Sequence, residues 1–137
     1  MPRMTADDID RFLAEHFPQA AGYLQIAAIG ADTIDVVLPY RDDYLRPGGT
    51  LSGPTLMTLA DTAMYFLVLA QLGPIALAVT TNLSMNFLRR PPPADLNATA
   101  RLLKLGKTLV VGEIHIRGAD QVLVAQASAT YALPPRR

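Results

Sequence analysis

The second half of the chain alternates. From Ala76 to Leu88, apolar Leu77, Val79, Leu83, Met85 and Phe87 fall on one side and polar Thr80, Asn82, Ser84 and Asn86 on the other, the two-residue period of a half-buried strand. Leu96 to Leu105 and Leu109 to Ile116 repeat the pattern on either side of Gly106-Lys107, and Val122 to Leu133 follows a Gly118-Ala119-Asp120 turn. These runs predict an antiparallel meander. Upstream, Tyr23 to Ile29 and Thr33 to Leu38 flank Gly30-Ala31-Asp32 and predict a hairpin.

Two stretches keep a helical period instead. Thr5, with Asp8 three residues on, is placed to cap a helix carrying Ile9, Phe12, Leu13 and Phe17 on one face, and Pro18 stops it. The second helix is longer. Ser52 is its expected N-cap, Gly53 and Pro54 its first residues, and Gly73-Pro74 ends it about five turns later. Leu56, Leu59, Ala60, Ala63, Met64, Leu67 and Val68 cover more than one face, so this helix must be wrapped on several sides. Between the hairpin and this helix, Arg41 to Gly49 is charged and then rich in proline and glycine, as a loop is. One buried helix and about six strands predict an α+β fold, a curved antiparallel sheet around one long central helix, with a short N-terminal helix beside it. At 137 residues a single domain, 1–137, is expected.

Composition narrows the chemistry. Twelve basic and twelve acidic residues cancel, so no global field favours nucleic acid or an anionic membrane. The absence of cysteine removes thiolate metal sites and cysteine nucleophiles. His16 and His115 stand without a second histidine or carboxylate at ligand spacing, so no metal is expected. Asp7, Asp8 and Asp10 occupy the stretch where a secretory signal would be apolar, and a cytoplasmic location is the expectation. The apolar run Leu56 to Val79 is interrupted by Asp61, Gln71 and Gly73-Pro74, short of the roughly 20 uninterrupted residues of a membrane span.

Asp61 is the only charged residue between Ser52 and Leu72. Ionising an unpaired carboxylate in apolar surroundings costs several kcal/mol, roughly, so something must compensate. Either a neighbouring hydroxyl or amide bonds it, or it is a catalytic carboxylate in a cleft that restricts water. The start of the same helix offers unpaired N–H groups to a developing oxyanion, although Ser-Gly-Pro also serves as plain capping chemistry. Gly53 and Asp61 are separated by roughly 12 Å along one helix, too far to meet one carbonyl. Two such helices packed antiparallel across a two-fold axis bring the start of one beside the middle of the other. A catalytic site would therefore be shared between subunits.

The spacing Arg46-x-x-Gly49-x-x-Ser52-Gly53-Pro54, followed by Leu59-Ala60-Asp61-Thr62-Ala63, resembles the N-x-x-G-x-x-H-G-G and L-x-D-x-A signature of hotdog-fold acyl-CoA thioesterases. The similarity is to the phenylacetyl-CoA (PaaI-like) branch of the 4-hydroxybenzoyl-CoA thioesterase superfamily. Val79 to Leu83, Phe87 to Arg89 and Gly106-Lys107-Thr108 resemble its later strand motifs.

The resemblance implies a homodimer whose sheets join edge to edge, often doubled to a homotetramer. It implies hydrolysis of an acyl-CoA, with coenzyme A entering as part of the substrate and no further cofactor. Asp61 is then general base or nucleophile, the Gly53 N–H binds the thioester oxygen, and Thr80 places the water. Arg46 and Ser52 stand where the family carries positioning asparagine and histidine, and Pro54, lacking an N–H, replaces a glycine. Two functions follow, a variant thioesterase or a protein that binds acyl-CoA without turnover; a dehydratase would need a histidine that the helix lacks. Arg89 and Arg90, with Lys104, Gly106 and Lys107, are candidates for the coenzyme A phosphates or solvated strand ends. Met57, Met64, Tyr65, Phe66 and Phe87 are expected in the core.

Overall fold

In the computed structural model, which describes residues 2–75 and 77–135, each helix begins where its cap does. Thr5 accepts from the Asp8 amide at 3.1 Å while Asp8 accepts from the Thr5 amide at 3.0 Å. This reciprocal pair opens α1 (Ala6–His16), which buries Ile9, Phe12 and Leu13. Ser52 Oγ accepts from the Thr55 amide at 3.2 Å and opens α2 (Gly53–Leu72). Gly73, at φ 97°, ends α2 with its N–H on the Leu69 carbonyl, in backbone space that favours glycine.

The expected hairpin forms as β1 (Gln25–Ile29) and β2 (Thr33–Leu38). Arg41 to Gly49 is not a plain loop. A 3₁₀ turn over Asp42–Tyr44 leads into a two-stranded ribbon, β3 (Leu45–Arg46) and β4 (Thr50–Leu51), turned by Gly48 and Gly49 at φ 103° and 77°. The remaining strands are β5 (Val79–Phe87), β6 (Leu96–Leu105), β7 (Leu109–Arg117) and β8 (Leu123–Ala132); Ala76, the expected start of the first of these, lies outside the described residues.

Sheet order is β1-β2-β6-β7-β8-β5, with every pair antiparallel. The meander is β6-β7-β8, and β5 joins beyond β8 rather than beside β6. Chain order alone did not reveal this placement. Helix α2 contacts β2, β5, β6, β7 and β8. Five strands at about 4.8 Å spacing are wider than a helix of about 10–12 Å, so the sheet must curve to reach it. This is the hotdog fold.

Side-chain size along the inner face explains the close fit. Ile114 on β7 pairs with Ala100 and Ala127, and Ile116 with Ala98 and Ala125. Each large residue is thus flanked by small ones, leaving room for Phe66, Leu67 and Met64 of α2, all fully buried and each stabilising by about 1.5–3 kcal/mol. Gly112 continues the pattern: a Cβ there would sit 2.6 Å from Met64 Sδ. With its 20 residues α2 is long and apolar enough to cross a bilayer, but Leu56 and most residues from Leu59 to Gln71 are buried in this protein core. The expected core residues divide: Met64 and Phe66 are fully buried, whereas Met57 is 44% and Phe87 52% exposed.

Candidate active site

Helix α2 brings the Asp61 side chain out where β5 and β8 meet. Thr80 Oγ1 of β5 donates to Asp61 Oδ1 at 2.5 Å, and the Tyr131 hydroxyl of β8 lies 2.8 Å from the same oxygen and 3.0 Å from the Asp61 carbonyl. Thr80 and Tyr131 are direct cross-strand partners. Strict alternation puts Thr80 on the face opposite Leu83 and Met85. The ladder between β5 and β8 instead shifts between Thr80 and Asn82, and an extra residue in one strand reverses which face its neighbours take. Thr80 therefore meets the helix, while Thr81 bonds the Thr130 carbonyl.

A cavity of about 540 Å³ opens beside the carboxylate. Thr58, Thr62 and Tyr65 of α2 form one wall, and His16 and Phe17 at the end of α1 close another. Tyr65 stacks on Tyr131 at 6.1 Å between ring centroids and meets Phe17 edge-on at 6.1 Å. His16, read from sequence as structural, lies on this wall with its imidazole 3.8 Å from Glu15. Burial foremost pushes the Tyr131 phenol well above the ordinary range, the bond from Thr80 opposes this, and the Asp61 charge and hydrogen bond push it further up. Burial raises Tyr65 as well. The Tyr131 phenol thus stays protonated and remains a donor to the carboxylate.

The remaining candidates are dispersed. Gly53 is at the start of α2, beside Phe87, whose ring would lie 3.8 Å from an added Cβ. Among the described residues its N–H has no hydrogen-bond partner. Ser52 is occupied as N-cap, its hydroxyl also 2.8 Å from Thr55 Oγ1. Arg46 is exposed on the β3-β4 ribbon, with no ion pair among the described residues. Arg89 and Arg90 are exposed just past β5, at the end of the strands shared with Arg117 and Leu123, whereas Gly106 and Lys107 turn β6 into β7 at the opposite end. One chain therefore does not gather these residues into a single phosphate site. Gly106 also has a structural need, because a Cβ there would lie 2.8 Å from the Leu109 carbonyl oxygen. Among the described residues no cluster of His, Cys, Asp or Glu is arranged to hold a metal.

Tyr131 was not singled out from the sequence. The available signal was a lone tyrosine at an inward position of an alanine-rich strand, since a buried phenol needs a partner.

The thioesterase superfamily model matches residues 48–125. That span holds Gly53, Asp61 and Thr80 but neither Arg46 nor Tyr131. The crystal structure of a candidate thioesterase from Silicibacter sp. TM1040 is similar at a TM-score of 0.89 with 44% sequence identity, covering 98% of this chain and 95% of that one. A thioesterase from Haemophilus influenzae shares the fold at a TM-score of 0.82 and 23% identity, covering 96% and 91% of the two chains. A candidate esterase of Saccharolobus solfataricus is 29% identical over 96 residues, 70% of this chain and 68% of that protein.

Proposed function

The chain belongs to the thioesterase superfamily and is a hydrolase, and from that premise we propose that it cleaves acyl-CoA thioesters with Asp61 as the reacting carboxylate. The observation that carries this is the half-buried Asp61 itself, held through Oδ1 by two hydroxyls at the edge of a cavity. Acting as general base, Asp61 takes a proton from water as the water oxygen bonds to the thioester carbon. The tetrahedral oxyanion then collapses, the carbon–sulfur bond breaks and the thiolate recovers the proton. Acting as nucleophile, an Asp61 oxygen bonds to the thioester carbon and the carbon–sulfur bond breaks to release the thiolate. Water then opens the resulting anhydride, restoring the Asp61 carboxylate and freeing the acid, and the proton lost from that water goes to the thiolate. In either route the oxyanion needs N–H donors.

The donor in this proposal is Gly53 of a second copy. Among the described residues strand β5 has a neighbour only in β8, and it is exposed along most of its nine residues. Gly53 lies by its Phe87 end and Asp61 by its Thr80 end. Pairing β5 with its own copy antiparallel sets one Asp61 beside the other Gly53. It also carries Arg89 and Arg90 of one copy toward the strand end that holds Gly106 and Lys107 of the other, a grouping suited to coenzyme A phosphates. A homodimer is the assembly this reading requires, and two such dimers joined as a homotetramer would keep the same shared sites.

Binding without turnover is the second reading, favoured by Ser52 being committed to capping and by Arg46 lying exposed on the β3-β4 ribbon with no side-chain partner among the described residues. Free-thiol release from a panel of short-chain, long-chain and aryl acyl-CoAs separates the two. Parent turnover that falls about 10²–10⁴-fold in Asp61→Asn, at unchanged fold, is expected. An Asp61→Asn variant as fast as the parent rejects the catalytic role, and acyl-CoA binding without parent turnover supports the second reading.

A further inference from the structure

Tyr131 is a buried hydroxyl that touches Asp61 twice, at the carboxylate and at the backbone carbonyl. We propose that Tyr131 is the positioning residue of the site: with Thr80 it fills Oδ1 of Asp61 and leaves Oδ2 as the oxygen that meets water or the thioester carbon. The proposal rests on the catalytic role of Asp61 for its chemistry, and on the geometry alone for the orientation.

A carboxylate rotates easily about its last torsion, which has broad, roughly two-fold preferences, so an unrestrained Asp61 would hold no fixed plane and keep neither oxygen aimed at the cavity. Two O–H donors converge on Oδ1, at 2.5 and 2.8 Å, while among the described residues no donor reaches Oδ2. Turning the carboxylate out of this plane would break both bonds, and a half-turn only exchanges two equivalent oxygens, so one oxygen stays occupied and the other stays open. The contact from the Tyr131 hydroxyl to the Asp61 carbonyl, at 3.0 Å, ties β8 to the turn of α2 that carries the carboxylate. The bonds to Oδ1, neutral donor to charged acceptor, are the stronger class, so the single Tyr131 proton goes chiefly to Oδ1. Because burial and the Asp61 charge keep the phenol protonated, the donor persists through the range in which hydrolysis is measured.

The groups facing Asp61 are few. From β5 it meets Thr80, from β8 Tyr131, from its own helix Tyr65, and from α1 His16 across the cavity. Among these His16 is the one side chain whose type changes charge near neutral pH, so it is removed by His16→Gln in every protein compared.

Tyr131→Phe takes away one oxygen and leaves the ring against Tyr65. The carboxylate, one donor poorer, should take up its proton at higher pH. The acid limb of kcat/KM is therefore expected to move upward, and plateau kcat to fall about tenfold with KM little changed. Carbon-13 NMR of the Asp61 carboxyl, assigned by its loss in Asp61→Asn, is expected to show the same upward displacement without any substrate present. A titration that does not move overturns the positioning role whatever the rates do, including the case in which Tyr131→Phe only lowers thermal stability. A titration that moves, together with turnover indifferent to Asp61→Asn, keeps the orientation and rejects the catalytic assignment. If Tyr131→Phe does not fold, Thr80→Val on the exposed strand removes the other Oδ1 donor and carries the same expectation.

Discussion

At position 112 a missing methyl group lets helix and sheet touch. A Cβ there would stand 2.6 Å from Met64 Sδ, 2.9 Å from its Cε and 3.0 Å from the Arg101 carbonyl oxygen. The methionine end can swing, but it is fully buried and the carbonyl belongs to the β6-β7 ladder. Gly112→Ala should therefore lower the unfolding free energy by about 1–3 kcal/mol, read from the denaturant midpoint, and an unchanged midpoint would mean that Met64 repacks freely. Single residues were unevenly legible in the sequence. Asp61 stood out because one charge in an apolar helix must find compensation. Gly112 did not, since a glycine inside a strand pattern gives no hint of what lies above it. Thr80 was named, yet its facing was set by an irregularity in β5 that alternation cannot express. Tyr131 looked like any inward residue of its strand.

Elements were easier to read, because each boundary has its own chemistry. Thr5 with Asp8, Ser52 and Gly73 begin and end helices as expected, and the run Leu96 to Leu105 is β6 itself. The β3-β4 ribbon escaped notice because two-residue strands have no period to detect. Helix α1 gives a prediction at this scale. Thr5→Ala removes the acceptor for the Asp8 amide and should cost about 1 kcal/mol of local helix stability, measured by amide hydrogen exchange in the first turn. The cap also depends on pH. Its bonds to Thr5 hold the Asp8 carboxyl below its ordinary 3.8, so the charged form is the one the folded helix favours. That contribution is complete above the ordinary value and is lost as pH falls below it; in Asp8→Asn the acid-side loss of protection should disappear. Because α1 ends in His16 and Phe17 on the cavity wall, loosening it should raise KM more than it lowers kcat.

At the scale of the whole molecule, the feature to explain is β5, a nine-residue edge strand with one side of its backbone unpaired among the described residues. Long exposed edges invite pairing with another chain, and here a two-fold partner would also complete the site, joining the middle of one α2 to the start of the other. Sequence spacing already separated Gly53 from Asp61 by roughly two helical turns, but only the sheet order shows that the edge beside both of them is free. Sharing can be tested by complementation. Asp61→Asn lacks the carboxylate, and Gly53→Val blocks the helix start; an added Cβ would first meet the half-exposed Phe87 ring, at 3.8 Å, so the fold should tolerate it. Each variant alone should be inactive. Coexpressed under different tags, they would form mixed dimers in which one site combines two damaged halves and the other two intact ones. Random pairing then predicts about a quarter of the parent activity, concentrated in the doubly tagged fraction. A doubly tagged fraction as inactive as either parent variant would place the whole site within one chain and require a different oxyanion donor for Asp61.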